Sequence, residues 1–230
     1  MERAEFDKFA DEYHAIHAEN IKASGEAPEF FAAYKVQDVA ARCAALGRAP
    51  QRILDFGGGT GSSAPFFAAA FPDAEIVIAD VSRRSLDIAR ERGVAGLDTL
   101  LFDGERLPLA DASVDIAFAA CVFHHIPTDR QTWLLAEIRR VLRPDGRLWV
   151  FEHNPWNPLT VQAVNTCPFD ENAVLIPARR LRYRLEDAGF RAPRIAYRIF
   201  FPGGLRVLRV LEPAMTWLPF GAQYYAEAAP

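Results

Sequence analysis

From residue 51 onward, short apolar runs rich in β-branched residues alternate with stretches whose apolar positions recur every three to four residues. That is the pattern of successive strand and helix units in a parallel sheet, an α/β fold. QRILDFG (51–57) predicts the first strand and SSAPFFAAAF (62–71) the helix behind it, with a serine cap and Pro65 in the first turn. EIVIADV (75–81) reads as the second strand, and SRRSLDIARERG (82–93) as a second helix stopped by Gly93. LDTLLFD (97–103) is the third strand. VDIAFAACVF (114–123), apolar without alternation, suits a central strand covered on both faces. TDRQTWLLAEIRRVLRPDG (128–146) predicts an amphipathic helix broken by Pro144 and Gly146, and GRLWVFEHN (146–154) a fifth strand.

The flanks are less regular. Phe6, Phe9, Tyr13 and Ile16 recur at helical spacing, so residues 1–48 are expected to add a helical segment packed on a core of 49–230, all within one domain. The Pro- and Asn-rich stretch 154–177 reads as an irregular insertion (near 155–176) of the kind that carries specificity. A helix (178–190), a strand (191–201), an apolar helical stretch (204–219) and a last strand (220–229) complete the chain. The apolar stretch, with Arg206 and Arg209, either buries the final strand or rests weakly on a membrane surface, where it would shield a lipid-linked acceptor.

Composition narrows the function classes. A net charge of −4 over 230 residues gives no general attraction to nucleic acid, although arginines crowd the last third of the chain. Cys43, Cys121 and Cys167 are odd in number and lack zinc-site spacing, which points to reduced thiols in a cytoplasmic protein and to no metal. The first twenty residues are too polar for a signal peptide, and no apolar run is long enough to span a bilayer.

The chemistry concentrates in ILDFGGGTGSS, where Gly57, Gly58, Gly59 and Gly61 follow a strand that carries Asp55. A bare turn at a helix start lets a nucleotide-like ligand meet backbone N–H groups. The spacing is G-x-G-x-G and not the G-x-G-x-x-G that cradles a dinucleotide pyrophosphate. Asp80, at the end of the second strand, suits ribose hydroxyls with either type of cofactor. Asp55 and the Asp103–Gly104 pair separate the two, since an acid beside the glycines repels a pyrophosphate but attracts an amino group.

These pieces, LDFGGGTG, ADVS, FDGERLPLADASVDIAFAACVFHHI and LRPDGRLWVFE, resemble the class I S-adenosylmethionine-dependent methyltransferases, in particular the branch similar to the ubiquinone and menaquinone biosynthesis enzymes. The resemblance spans residues 51 to about 152 and implies a Rossmann-like, seven-stranded, mostly parallel sheet with helices on both faces and an N-terminal helical lid. It further implies that Gly57 and Gly59 approach the methionine part of S-adenosylmethionine, Asp80 the ribose, and Asp103 with Gly104 the adenine. Ala120 and Cys121 would flank the sulfonium. The family's recurrent histidine falls on His125. Phe56 and Gly58 depart from the usual loop and should reshape it.

His124 and His125 end the fourth strand while Glu152, His153 and Asn154 end the fifth, so one sheet rim carries both groups. His125, then His153, are the candidate catalytic bases, each also readable as a packing residue. Adjacent histidines diverge on regular backbone, which argues against a metal pair. Tyr13 on the lid is a candidate cofactor contact, and Lys35 either meets the cofactor carboxylate or is a solvated lysine. The expected activity is methylation of a small metabolite, with an oxygen on a sugar or specialised metabolite preferred over a carbon or nitrogen of a lipid-linked or quinone-like acceptor. A nicotinamide oxidoreductase and a non-catalytic cofactor-binding module are the other classes in play.

Overall fold

The computed structural model describes residues 10–230, so Phe6 and Phe9 lie outside the described residues, as does the side chain of Tyr13. In chain order the elements are α1 (Tyr13–Asn20), α2 (Pro28–Ala45), β1 (Arg52–Phe56), α3 (Ala64–Ala70), β2 (Glu75–Asp80), α4 (Arg83–Glu91) and β3 (Leu97–Leu101). They continue as β4 (Val114–Ala120), α5 (Thr128–Val141), β5 (Leu142–His153), α6 (Pro158–Thr166), α7 (Ala178–Asp187), β6 (Arg191–Arg198), α8 (Glu212–Met215) and β7 (Gln223–Ala229). The strands form one seven-stranded sheet in the order β3-β2-β1-β4-β5-β7-β6. It is the Rossmann-like arrangement: β1 to β5 pair in parallel, while β7 inserts antiparallel between β5 and β6.

Alternation along β1 decides what each face buries. Leu54 and Phe56 join the layer filled by Leu135 and Ile138 of α5 and Leu181 and Leu185 of α7. Ile53 faces the opposite layer, where Val36, Val39 and Cys43 of α2, Phe67 of α3 and Leu86 of α4 cover Phe118, Trp149 and Phe151. By the same parity Asp55 faces the α2 side. Strand order reverses between β1 and β4, and ligands of open α/β sheets bind at the carboxyl ends beside such a reversal.

Three expectations are corrected. The helix over 128–146 stops at Val141, because Arg143 precedes Pro144 and is driven out of the helical region; the strand begins at Leu142, paired with Val114 ahead of a register shift. The insertion is not wholly irregular. Asn157 caps α6 by accepting from Thr160 N at 3.0 Å, with Pro158 in the first turn, and a 3-10 turn follows at Pro168–Asp170. The apolar stretch after Gly203 does not bury the last strand. It forms a 3-10 segment (Gly203–Leu211) and α8, and leaves Val207 and Val210 78% and 80% exposed. Arg209 ties this segment to the residues ahead of α2 through Glu26 at 2.8 Å and lies over the Phe30 ring. No helix among the described residues is long and apolar enough to cross a membrane.

Candidate active site

The glycine turn is shaped by what crowds it. Gly57 has φ +68°, and a Cβ there would lie 2.6 Å from Val122 Cγ1; at Gly58 it would lie 2.7 Å from the Asp55 carboxyl carbon. Gly58 thus makes room for Asp55 beneath the loop. Gly59 has φ +52° and open space around its Cβ position, so backbone is presented there without a side chain. Its N–H donates to Asp80 Oδ2 at 2.9 Å, and Ser82 N donates to Oδ1 at 2.8 Å, fixing the Asp80 carboxylate against the loop.

Asp55 is 2% exposed, and its Oδ2 has no hydrogen-bond partner among the described residues. Burial, together with the nearby Asp80 charge, pushes its carboxyl up to about 7 against the pull of Lys35. A buried carboxylate in this condition asks for a cation. Lys35 is 6% exposed, which corrects the solvated-lysine reading: α2 carries it inward, where Nζ donates to Cys121 Sγ at 3.5 Å. Cys121 takes φ +57°, a strained position for a non-glycine residue. Burial raises its thiol, but His153 and Lys35 outweigh that and bring it down to about 7.

The histidine pair sits on a 3-10 turn, Phe123–His125. Gln131 Nε2 donates to Phe123 O at 2.9 Å and to Ile126 O at 2.8 Å, and Glu152 Oε1 accepts from Phe123 N at 2.9 Å. Glu152, fully buried at the end of β5, places Oε2 2.6 Å from His124 Nδ1. Asp170 Oδ1, from the 3-10 turn Pro168–Asp170, lies 3.5 Å from His124 Nε2 and 3.3 Å from His125 Nε2. The two imidazoles therefore converge, with ring centres 4.2 Å apart, where divergence was expected. Divergence belongs to extended backbone, and both residues have already left the strand.

Burial opposes a charged His124, yet Glu152 and Asp170 hold its proton up to about 10. Both carboxyls are held down in return, Asp170 far below the usual carboxylate range, although burial works against each. Burial and the His124 charge lower His125 against the pull of Asp170.

Asp55, Gly57, Gly59, Asp80, Ala120, Cys121, His125 and His153 line one cavity of about 220 Å3, which His17, Lys35, His124, Asp170 and Gln223 complete. Asp103 and Gly104 are not brought to it. They line a separate depression of about 180 Å3 with Phe56, Val81, Phe102 and Ile126, and Asp103 Oδ1 accepts from Glu105 N and Arg106 N. Sequence reasoning missed Gln223, which the antiparallel pairing of β7 sets opposite His153. Its amide reaches His153 Nδ1 at 3.4 Å and accepts from the Tyr34 hydroxyl.

With this geometry in place, likeness to known proteins becomes informative. Residues 54–150 match the methyltransferase domain family. They are a class I methyltransferase domain. A curated malonyl-[acyl-carrier protein] O-methyltransferase from Methylococcus capsulatus is 41% identical over 105 residues, covering 45% of this chain and 38% of that protein. A ubiquinone/menaquinone biosynthesis C-methyltransferase from Dinoroseobacter shibae is 42% identical over 113 residues, covering 46% and 43%. The chain thus spans less than half the length of these two relatives. A solved SAM-dependent methyltransferase from Thermotoga maritima superposes with a TM-score of 0.68 over 99% of both chains at 22% identity, a likeness of fold.

The cofactor of such a methyltransferase domain is S-adenosylmethionine, and the residues present fit it. The orphaned Asp55 Oδ2 suits an ammonium group, and the open Gly59 suits a ligand pressed against backbone. The domain carries a cost for keeping Asp55 bare. Because the folded chain binds the Asp55 proton more tightly than the unfolded chain, the stability this group contributes is fully present below the ordinary carboxylate range and is lost as pH rises through about 7. Asp55→Asn is expected to raise the ligand-free melting temperature by several degrees at about pH 8 and by little near pH 4. Melting curves of both proteins at the two pH values check this; an equal difference at both would remove the electrostatic explanation.

Proposed function

We propose that this chain transfers the methyl group of S-adenosylmethionine to a carbon or oxygen of an acidic, quinone-like or enolic acceptor. The reading is carried by one observation: a buried carboxylate with an unpartnered oxygen and a bare glycine turn share a single cavity with four histidines. When bound, S-adenosylmethionine supplies an electrophilic methyl group on a positively charged sulfur. Asp55 holds the ammonium of its amino acid end and Lys35 the carboxylate, and Asp80 accepts from the ribose hydroxyls. Gly57 and Gly59 give the backbone access it needs, and Ala120 and Cys121 flank the sulfonium; Asp103 and Gly104, in their separate depression, are assigned the adenine end on the family resemblance alone. Residues 1–48 act as the lid, which brings His17 to the cavity wall, and Tyr13 is assigned a cofactor contact.

In-line displacement at a methyl carbon gains most from alignment, so cavity shape does much of the work. His125 and His153 receive the proton of an acceptor that is a poor nucleophile while protonated. The acceptor half of the cavity sets the apolar surface of Ile21, Phe31, Val164 and Phe169 beside the imidazoles and Asp170. That wall, and relatives named as a ubiquinone/menaquinone biosynthesis C-methyltransferase and a malonyl-[acyl-carrier protein] O-methyltransferase, support a quinone-like or acidic acceptor over a sugar.

Two measurements decide between classes. Calorimetry with S-adenosylmethionine and, separately, NADH is expected to show binding of the first alone; NADH binding alone would return the chain to the oxidoreductases. Methyl-labelled S-adenosylmethionine incubated with a 1,4-naphthoquinol and with a malonyl thioester is expected to label one of them, whereas a non-catalytic module labels neither.

A lipid-linked acceptor also gives the exposed face a use. Val207, Val210, Leu211 and Trp217 lie in solvent beside Arg206, while Arg209 is engaged by Glu26. This face rests on anionic bilayers. The chain should co-sediment with vesicles of anionic phospholipid, and Val207→Ser/Val210→Ser should release it; equal retention of both proteins would withdraw the contact.

A further inference from the structure

We propose that His124, His125 and Asp170 form a site for one divalent transition-metal cation of the iron(II), cobalt(II) or zinc(II) type on the acceptor side of the cavity. Three observations converge. The donor atoms all lie within 4.8 Å of one another, and Asp170 Oδ1 is 3.3 and 3.5 Å from the two imidazole Nε2 atoms. A cation bound at about 2.0–2.1 Å from each ligand separates them by roughly 3.0–3.4 Å, close to the two carboxylate–imidazole distances, and the imidazole donors close on it from within 4.8 Å of each other. Two histidines and one carboxylate on one side of an ion leave its remaining positions open.

The second observation is the support behind His124. Fully buried Glu152 stands 2.6 Å from Nδ1, on the far side of the ring from Asp170, and is itself fixed by Phe123 N. A carboxylate there keeps the proton on Nδ1 and aims the Nε2 lone pair away from it, which is how ligating histidines are oriented in metal sites. Asp170 then has no role in orienting that imidazole, because Glu152 already does so. Third, both ends of the arrangement are anchored. Gln131 holds the carbonyls of the 3-10 turn, and Val174 N donates to His124 O at 2.8 Å, pinning the segment that delivers Asp170.

All three side chains line the cavity, so the open positions are available to a ligand there. The role of the cation rests on the methyl-transfer reading: it makes a bound acceptor hydroxyl easier to deprotonate, the proton passes to His153, and loss of that proton, with the cation holding the oxyanion in place, makes the oxygen or its neighbouring carbon nucleophilic. His125 then serves as a ligand and His153 as the base. An imidazolium clasped between two carboxylates is the competing state of the same residues, and metal titration separates the two.

The test uses the full chain, stripped with a chelator and freed of it. Cobalt(II) is added while the visible absorption is followed, and zinc(II) binding is measured by calorimetry. The expected result is one equivalent of each, weakened by about 10–100-fold or more in Asp170→Asn and by about 10–100-fold in Glu152→Gln. S-adenosylmethionine binding reports folding of each variant, and the wild-type and Asp170→Asn titrations decide the matter if Glu152→Gln fails to fold. No cobalt(II) uptake at millimolar concentration, or uptake indifferent to Asp170→Asn, overturns the site. S-adenosylmethionine binding without metal uptake removes the cation alone; Asp170-dependent uptake without S-adenosylmethionine binding leaves the site and removes the methyl-transfer reading.

Discussion

Asp80→Ala is expected to weaken S-adenosylmethionine binding by about 10²–10⁴-fold. A hydrogen bond to a charged group contributes about 1.5–3 kcal/mol, and a carboxylate facing two ribose hydroxyls makes two. Each 1.4 kcal/mol is about a tenfold change in affinity. The carboxylate also holds Gly59 N and Ser82 N, so its loss releases the glycine turn and pushes the effect toward the upper end. Asp80→Asn keeps an acceptor for one of those N–H groups and should fall between the two. Calorimetry on the three proteins reads this directly; affinity within tenfold of the wild type in the alanine variant would take Asp80 out of the cofactor site.

The second large effect concerns turnover. The His125→Ala/His153→Ala double variant is expected to slow single-turnover methylation of the naphthoquinol by about 10²–10⁴-fold, the usual contribution of a positioned proton acceptor. Both rings line the cavity beside Cys121 and Asp170, while the cofactor's amino acid end is assigned to Asp55 and Lys35. S-adenosylmethionine affinity should therefore stay close to the wild-type value. Turnover unchanged in the double variant would mean that alignment alone drives the transfer; affinity lost with turnover would mean that the histidines shape the cofactor site instead.

How far the sequence reaches is clear from particular residues. Strand cores such as Leu54, Ile78 and Phe118 announce themselves because parallel strands covered on both faces must be apolar throughout. Asp55, Asp80 and the glycines are legible because a motif fixes their mutual spacing on one strand–turn–helix unit. Lys35 carried a signal that was passed over: with Ala32, Val39 and Cys43 it completes a three-to-four-residue stripe, and a lysine on such a stripe is carried inward. His124 and His125 misled because strand alternation was extended into a turn. Gln223 carried no local signal, since an antiparallel neighbour chosen by tertiary pairing brings it to His153. Asp170 falls in the insertion expected to carry specificity, and its approach to both imidazoles was not legible because it depends on where a long connection closes.

The fastening of α2 has a temporal side. Its Tyr34 hydroxyl donates to Gln223, Asp38 meets Arg198 at 2.7 Å, and Arg42 meets Glu227 at 2.9 Å, all on the antiparallel pair β6 and β7. A ribosome emits these partners some 160 to 190 residues apart, and domains gain structure as they emerge. Late in translation the glycine turn, Asp80 and the histidine turn have therefore been synthesised, while the β6 and β7 partners of α2 have not. On the proposed assignment of these residues, the nascent chain has the means to recognise its cofactor before it has the means to enclose it, and β7, pairing between β5 and β6, converts the one into the other.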